Sequence, residues 1–180
     1  MNNLPPSIFR RLLKDDFEAL PPVLRRVHGE PGKATLIGTA KAEIFLGLFG
    51  KLICWAAGLP AASTNMPATV TFAEHAGNAH WSRNFAGRCY ASDLSVGTGR
   101  DAGLLVEKMG LLTLLFALNV EGRRLRLTVK RCRFLGFPLP SILSPRCVAY
   151  ESEQDGAFVF DIVASLPFLG RLITYAGTIR

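Results

Sequence analysis

The sequence predicts an α+β protein in which N-terminal helices and one covering helix sit on a strongly curved antiparallel sheet, or a flattened β-barrel, of about nine to ten strands. Three observations carry that expectation. Helical spacing of apolar residues is confined to the first third of the chain. From Met66 onward it gives way to short strand-like runs divided by Gly, Asn and Pro. At 180 residues, with 49% apolar and 19% charged side chains, the chain has the length and composition of a single domain, 1–180, able to bury a core without metal or disulfide.

From Ile8 to His28 apolar residues recur at helical intervals, at Phe9, Leu12, Leu13, Phe17 and Leu20, then at Val23, Leu24 and Val27. Two short amphipathic helices are expected, divided by Pro21-Pro22. Behind the Pro31-Gly32 turn, Thr35, Ile37 and Thr39 alternate with small residues over Lys33 to Glu43, which suits a strand. Ile44 to Leu59 follows, an apolar stretch stopped by Pro60. As a helix it would span about 24 Å, short of the ~30 Å hydrocarbon core, and Lys51 at its centre would cost about 3 kcal/mol in lipid. It is therefore expected to cover the sheet, and no integral membrane segment is expected.

The strand-like runs are Ala68 to His75, Ala79 to Ala86, Arg88 to Val96, Leu104 to Met109, Leu111 to Val120, Arg124 to Phe134, Cys147 to Ser152, Ala157 to Ser165 and Arg171 to Ile179. Ala76-Gly77-Asn78, Glu121-Gly122 and Gln154-Asp155-Gly156 are expected turns. So many consecutive strands curl or close, because a wide open sheet leaves two long edges.

The formal charge of +7 rests on 15 Arg and 6 Lys against 14 acidic residues, and six of the cations crowd into Arg123, Arg124, Arg126, Lys130, Arg131 and Arg133. Aromatic rings are missing from that run until Phe134, which argues for a solvated strand face over a nucleic-acid platform. Cys54, Cys89, Cys132 and Cys147 are widely spaced and suggest buried thiols. His75 and His80 flank one turn without a nearby carboxylate, so no metal site is expected. The opening Met1 to Arg11 has no uninterrupted apolar stretch of a secretory signal, and a cytoplasmic location, with peripheral membrane attachment as a variant, is expected.

No motif for nucleophilic catalysis is present, so the sequence leans against an enzyme and leaves the question open. Gly97-Thr-Gly99-Arg-Asp-Ala-Gly103 has a glycine pattern near a dinucleotide fingerprint, but its third glycine is one position late and a strand-like run follows. It reads as a hairpin loop, and no cofactor is assigned. Strand parity is more informative. Trp81, Arg83 and Phe85 share one face, and Arg131 and Arg133 fall in register with Leu125, Leu127 and Val129, so if the apolar residues point inward the three arginines do too, forming internal salt bridges or placing charge at a cavity, the alternative being that they emerge at strand ends. Buried guanidinium groups need partners, for which Glu107 and Glu151 are the candidates. With Tyr175 of the last run, these residues form the candidate ligand-binding set: Trp81, Arg83, Phe85, Glu107, Arg131, Arg133, Glu151 and Tyr175. Apolar but rich in proline, the stretch Phe134 to Pro145 supplies a candidate lid at Phe137, Pro138, Leu139 and Pro140, the alternative being a plug in a barrel end.

Several runs carry a family resemblance: Leu20 to Gly29, Trp81 to Gly87, Gly103 to Gly110, Leu135 to Pro145, Glu151, Asp155 to Asp161 and Leu166 to Gly177. Together they resemble the bacterial family called domain of unknown function 4166. The resemblance implies no reaction and no catalytic residues. It does imply a partner, since members occur alone or joined to a saccharopine-dehydrogenase-like NAD-binding module. Three functional expectations result. The first is a binding or accessory module whose apolar cavity takes a lipid-like or other apolar carboxylate, its head near Arg83. A second is the substrate-binding part of an enzyme working with that NAD-binding partner, with Glu107 or Glu151 as acid or base. The third is peripheral membrane attachment through the Ile44 helix, the Pro138 loop and the basic surface.

Overall fold

A computed structural model describes residues 5–75 and 77–180, in which the meander closes on itself. Helix α1 (Ile8–Leu13), a 3-10 helix (Lys14–Ala19) and α2 (Pro22–Gly29) precede β1 (Gly32–Ile44), α3 (Gly47–Ala56) and β2 (Ser63–His75). Strands β3 (Asn78–Phe85), β4 (Arg88–Val96), β5 (Leu105–Met109), β6 (Leu112–Glu121) and β7 (Arg124–Phe134) follow. The two-residue β8 (Phe137–Pro138), then β9 (Arg146–Gln154), β10 (Ala157–Leu166) and β11 (Gly170–Ile179) complete the chain. The turn expected at Ala76-Gly77-Asn78 includes Ala76, which lies outside the described residues, as do Met1 to Leu4 of the opening segment.

Every strand pairs antiparallel with its successor, β7 passes over β8 to β9, and β11 returns to β1 from Gly38↔Ile179 to Ile44↔Ile173. The result is a closed barrel of ten strands with β8 as a short extra ribbon on β7. Closure removes the two long edges that an open sheet of this width would expose. Connections in such an up-and-down ring alternate between two rims. One rim carries the β2–β3, β4–β5, β6–β7 and β9–β10 turns with the N-terminal helices; the other carries α3 and the β3–β4, β5–β6, β7–β9 and β10–β11 connections.

The N-terminal helices close the first rim. Their apolar faces (Ile8, Phe9, Leu13, Phe17, Leu24) are buried in the same core as barrel residues Phe72, Trp81 and Phe158. Barrel carboxylates receive the free amides at their starts: the Ile8 N–H donates to Glu74 Oε1 at 2.9 Å and the Val23 N–H to Glu153 Oε2 at 2.9 Å. Each contact satisfies an orphan donor and sets negative charge against a positive helix end.

Several sequence expectations shift in the structure. The covering helix is shorter than Ile44 to Leu59, because Ile44 stays paired with Ile173 in β1 and Leu46 turns the chain through a left-handed conformation at φ 66°. Strand β2 begins at Ser63, earlier than Ala68, and runs through Pro67. The proline is tolerated because its carbonyl accepts from Ala86 N–H at 2.9 Å where β3 has already ended, so its missing N–H removes no ladder bond there. The Gly97–Gly103 segment is a loop holding one 3-10 turn, Gly99–Asp101, before β5.

At the seam between β1 and β11 the backbones approach so closely that a Cβ on Gly38 would collide with the Thr178 carbonyl. Gly38→Val is expected to lower stability by about 1–3 kcal/mol. Denaturant unfolding measures this; unchanged stability would mean that the seam is not closely packed.

Candidate functional site

Because side chains alternate across a strand, the inward positions of ten strands converge on the barrel axis, and here they do not fill it. A cavity of about 320 Å³ remains, at the lower end of the ~300–1,000 Å³ usual for small-molecule sites. Its walls are apolar: Val70, Phe72, Trp81 and Phe85 on one side, Leu114, Phe116, Leu127, Phe160 and Ile162 on the other. Ile53, Ala57, Leu59, Pro145 and Leu166, all on or beside the α3 rim, line its upper end.

One corner is polar. Arg83 lies between Trp81 and Phe85 on the inward face of β3, and its Nη2 donates to Glu107 Oε1 at 2.9 Å and its Nη1 to Ser92 Oγ at 2.9 Å. The Ser92 hydroxyl in turn donates to Glu107 Oε1 at 2.6 Å, closing a triangle. The guanidinium sits 5.1 Å from the ring centres of both Trp81 and Tyr90. Tyr90 and Tyr175 bring their hydroxyls to 3.5 Å from each other. Burial opposes the charge on Arg83, and Tyr90, Glu107 and Tyr175 raise its pKa, the tyrosines only as phenolates; with both phenols protonated, Glu107 is the counter-charge that keeps the cation. Burial pushes both phenols up, Tyr175 well above its ordinary value, which keeps them protonated hydrogen-bond donors. Burial likewise pushes the Cys147 thiol, also on the cavity wall, up to about 12, so it is not a nucleophile at neutral pH.

A second buried pair lies toward the helical rim. His28 Nε2 is 2.6 Å from Glu151 Oε2, and its ring stacks on Phe9 at 4.1 Å and on Trp81 at 5.6 Å. Nδ1 has no partner among the described residues. Both inward carboxylates are thus engaged, Glu107 by Arg83 and Ser92, Glu151 by His28.

The family model of the Domain of unknown function (DUF4166) matches residues 20–179. The chain belongs to that family. No curated protein matches it. The match leaves out α1, so the DUF4166 region comprises α2, α3 and the barrel.

Of the sequence-derived set, the DUF4166 barrel brings Trp81, Arg83, Phe85, Glu107, Glu151 and Tyr175 to one cavity. Arg131 and Arg133 are a correction: they point outward. The β6–β7 register runs Leu114↔Cys132, Leu115↔Arg131, then Phe116↔Val129, so Lys130 is an unpaired extra residue. Such a bulge reverses side-chain parity. Cys132 takes the inward place, and both arginines donate to the Asp101 carboxylate from the β4–β5 loop. Those two guanidinium groups hold the Asp101 carboxyl below its ordinary pKa. The partner expected for Glu151 also differs, being His28 rather than an arginine.

Among the candidate lid residues, Phe137 and Pro138 pair with β7 as β8, and Phe137 is 76% exposed. Leu139 packs against the core, and of the loop only Pro145 lines the cavity. Sequence reasoning passed over Tyr90, Ser92, Cys147 and the pairing of His28. Tyr90, Ser92 and Leu94 share the inward parity of β4, the signal that would have found the first two.

Removing the Arg83 counter-charge leaves a buried cation alone, so Glu107→Gln is expected to cost about 3–5 kcal/mol in chemical unfolding. A cost near zero would mean that water already screens Arg83. The phenols give a pH expectation. Their folded pKa values are raised, so the stability they add is complete below about pH 10 and is lost as the pH climbs through the folded values. Phenolate absorbance and circular dichroism followed together should show Tyr90 and Tyr175 ionising only as the barrel opens; ionisation near pH 10 in a folded barrel contradicts their burial.

Proposed function

We propose that this DUF4166 chain is a binding module that holds a single-chain apolar carboxylate inside its barrel. The observation that carries the reading is an apolar cavity with one donor-rich corner. Arg83 commits one N–H to Glu107 and one to Ser92, leaving its other donors without a protein partner among the described residues. Two protonated phenols stand beside it. A head with acceptor oxygens satisfies these donors, and a carboxylate does so with charge assistance.

Volume limits the tail. At roughly 30 Å³ per non-hydrogen atom, the space takes on the order of ten of them. That is a medium-length acyl chain, whereas a two-tailed lipid of about fifty such atoms needs several times more.

Decanoate and decanol serve as matched probes. Decanoate is expected to raise the melting temperature of the native protein, and to raise that of Glu107→Gln further, because the ligand then supplies the missing counter-charge. Decanol is expected to do less in both. Tyr90→Phe combined with Tyr175→Phe should weaken decanoate binding about tenfold or more, read by calorimetry. Decanoate acting on neither protein, or decanol matching it, would overturn the proposal.

A further inference from the structure

Thirteen large apolar side chains are exposed among the described residues, and all but Ile37 lie on segments of the α3 rim. They come from separate parts of the chain: Leu48, Leu52 and Trp55 on α3, Phe137 and Ile142 on the β7–β9 connection, and Phe168 at the β10–β11 turn, with the rest beside them. Monomeric proteins rarely gather exposed apolar surface in this way without using it. The opposite rim, plugged by the N-terminal helices, has none of these residues.

Charge follows the same division. Residues 44–67, 84–92, 109–116, 130–149 and 162–174, which build the α3 rim and the strand ends beneath it, contain no Asp or Glu and seven Lys or Arg. The acidic residues of the chain lie elsewhere. Glu43, Asp93 and Asp161 sit just outside these segments, Asp93 opposite Lys108, and Asp101 is held by Arg131 and Arg133. In a chain of net charge +7, cations thus outnumber acids at this end of the barrel. Apolar side chains interleaved with cations match the chemistry of an anionic bilayer, with acyl carbon below and phosphate above.

We propose that the α3 rim docks on an anionic membrane surface. The cavity is lined at this end by Ile53, Ala57, Leu59, Pro145 and Leu166, so docking places that end against the lipid. No described helix is long and apolar enough to cross a membrane. A hydrophobic protein partner would be satisfied by the apolar residues alone; an acid-free rim adds a preference for phosphate-bearing surface. Docking stands apart from the ligand reading, because its readouts need no occupied cavity, so either can fail without the other.

The chain has two tryptophans, one exposed on the rim and one buried in the barrel, which gives the test a built-in reporter. In Trp81→Phe, Trp55 alone emits. Adding vesicles of mixed phosphatidylglycerol and phosphatidylcholine is expected to shift its emission to the blue, and the native protein is expected to float with those vesicles. Pure phosphatidylcholine vesicles should retain far less, and salt should release what is bound. Lys51→Glu with Arg146→Glu is expected to lower binding more than tenfold, at about fivefold for each cation removed. Leu52→Glu with Phe168→Glu should abolish it. Native protein left in solution beside the anionic vesicles would overturn the proposal. So would a Trp55 shift that follows protein concentration without vesicles, alongside dimers in sedimentation, since a second copy would then cover the rim.

Discussion

Closure of the ring between β1 and β11 is the constraint from which the rest follows. An open meander of this width would have to satisfy two rows of backbone groups at its edges, whereas the closed one pairs β1 with β11 and β7 with β9 within the wall. Eight strands enclose a space that side chains fill or that holds one small ligand, and diameter grows with strand number. Ten strands leave room even with Phe72, Trp81, Phe85, Phe116 and Phe160 pointing inward. The cavity is therefore a geometric result of the strand count, and the two rims then divide the labour. One is sealed by α1 and α2, whose free amides are met by Glu74 and Glu153; the other keeps α3 and the proline-rich connection.

Within that lumen the polar groups are few and mutually dependent. Arg83 holds its charge because Glu107 faces it, and Glu107 keeps its geometry because Ser92 donates to the same oxygen. In water this triangle would be worth little, but inside the barrel each member is costly to leave alone. The cation is also framed by aromatic faces, which exclude water without taking up its donors. His28 and Glu151 solve the same problem nearer the helical rim, with the ring stacked on Phe9 and Trp81.

Much of this was legible in the sequence, for physical reasons particular to each element. The inward turn of Trp81, Arg83 and Phe85 follows from the two-residue period of a strand and needs no knowledge of the partner strand. The parity of Arg131 and Arg133 was misread because the extra residue at Lys130 is set by the register of β6 against β7, a relation between two strands that no single run reveals. The His28–Glu151 pair joins residues 123 positions apart, and only closure of the barrel over α2 brings them together. Strand β2 extends beyond the run from Ala68 to His75 expected from the sequence, because Pro67 sits where β3 no longer needs its donor. Rim asymmetry was visible as long acid-free stretches, but their common place in space depends on the up-and-down topology.

The central claim, that the barrel holds an apolar carboxylate with its head at Arg83, is tested most directly by nuclear magnetic resonance of decanoate labelled with carbon-13 at its carboxyl. Bound to Glu107→Gln, in which Arg83 has no other counter-charge, the carboxyl resonance should be distinct from the free one and should titrate at lower pH than free decanoate, because the guanidinium favours the ionised form. A bound carboxyl that titrates as it does in solution, or the absence of any bound resonance, would contradict the account.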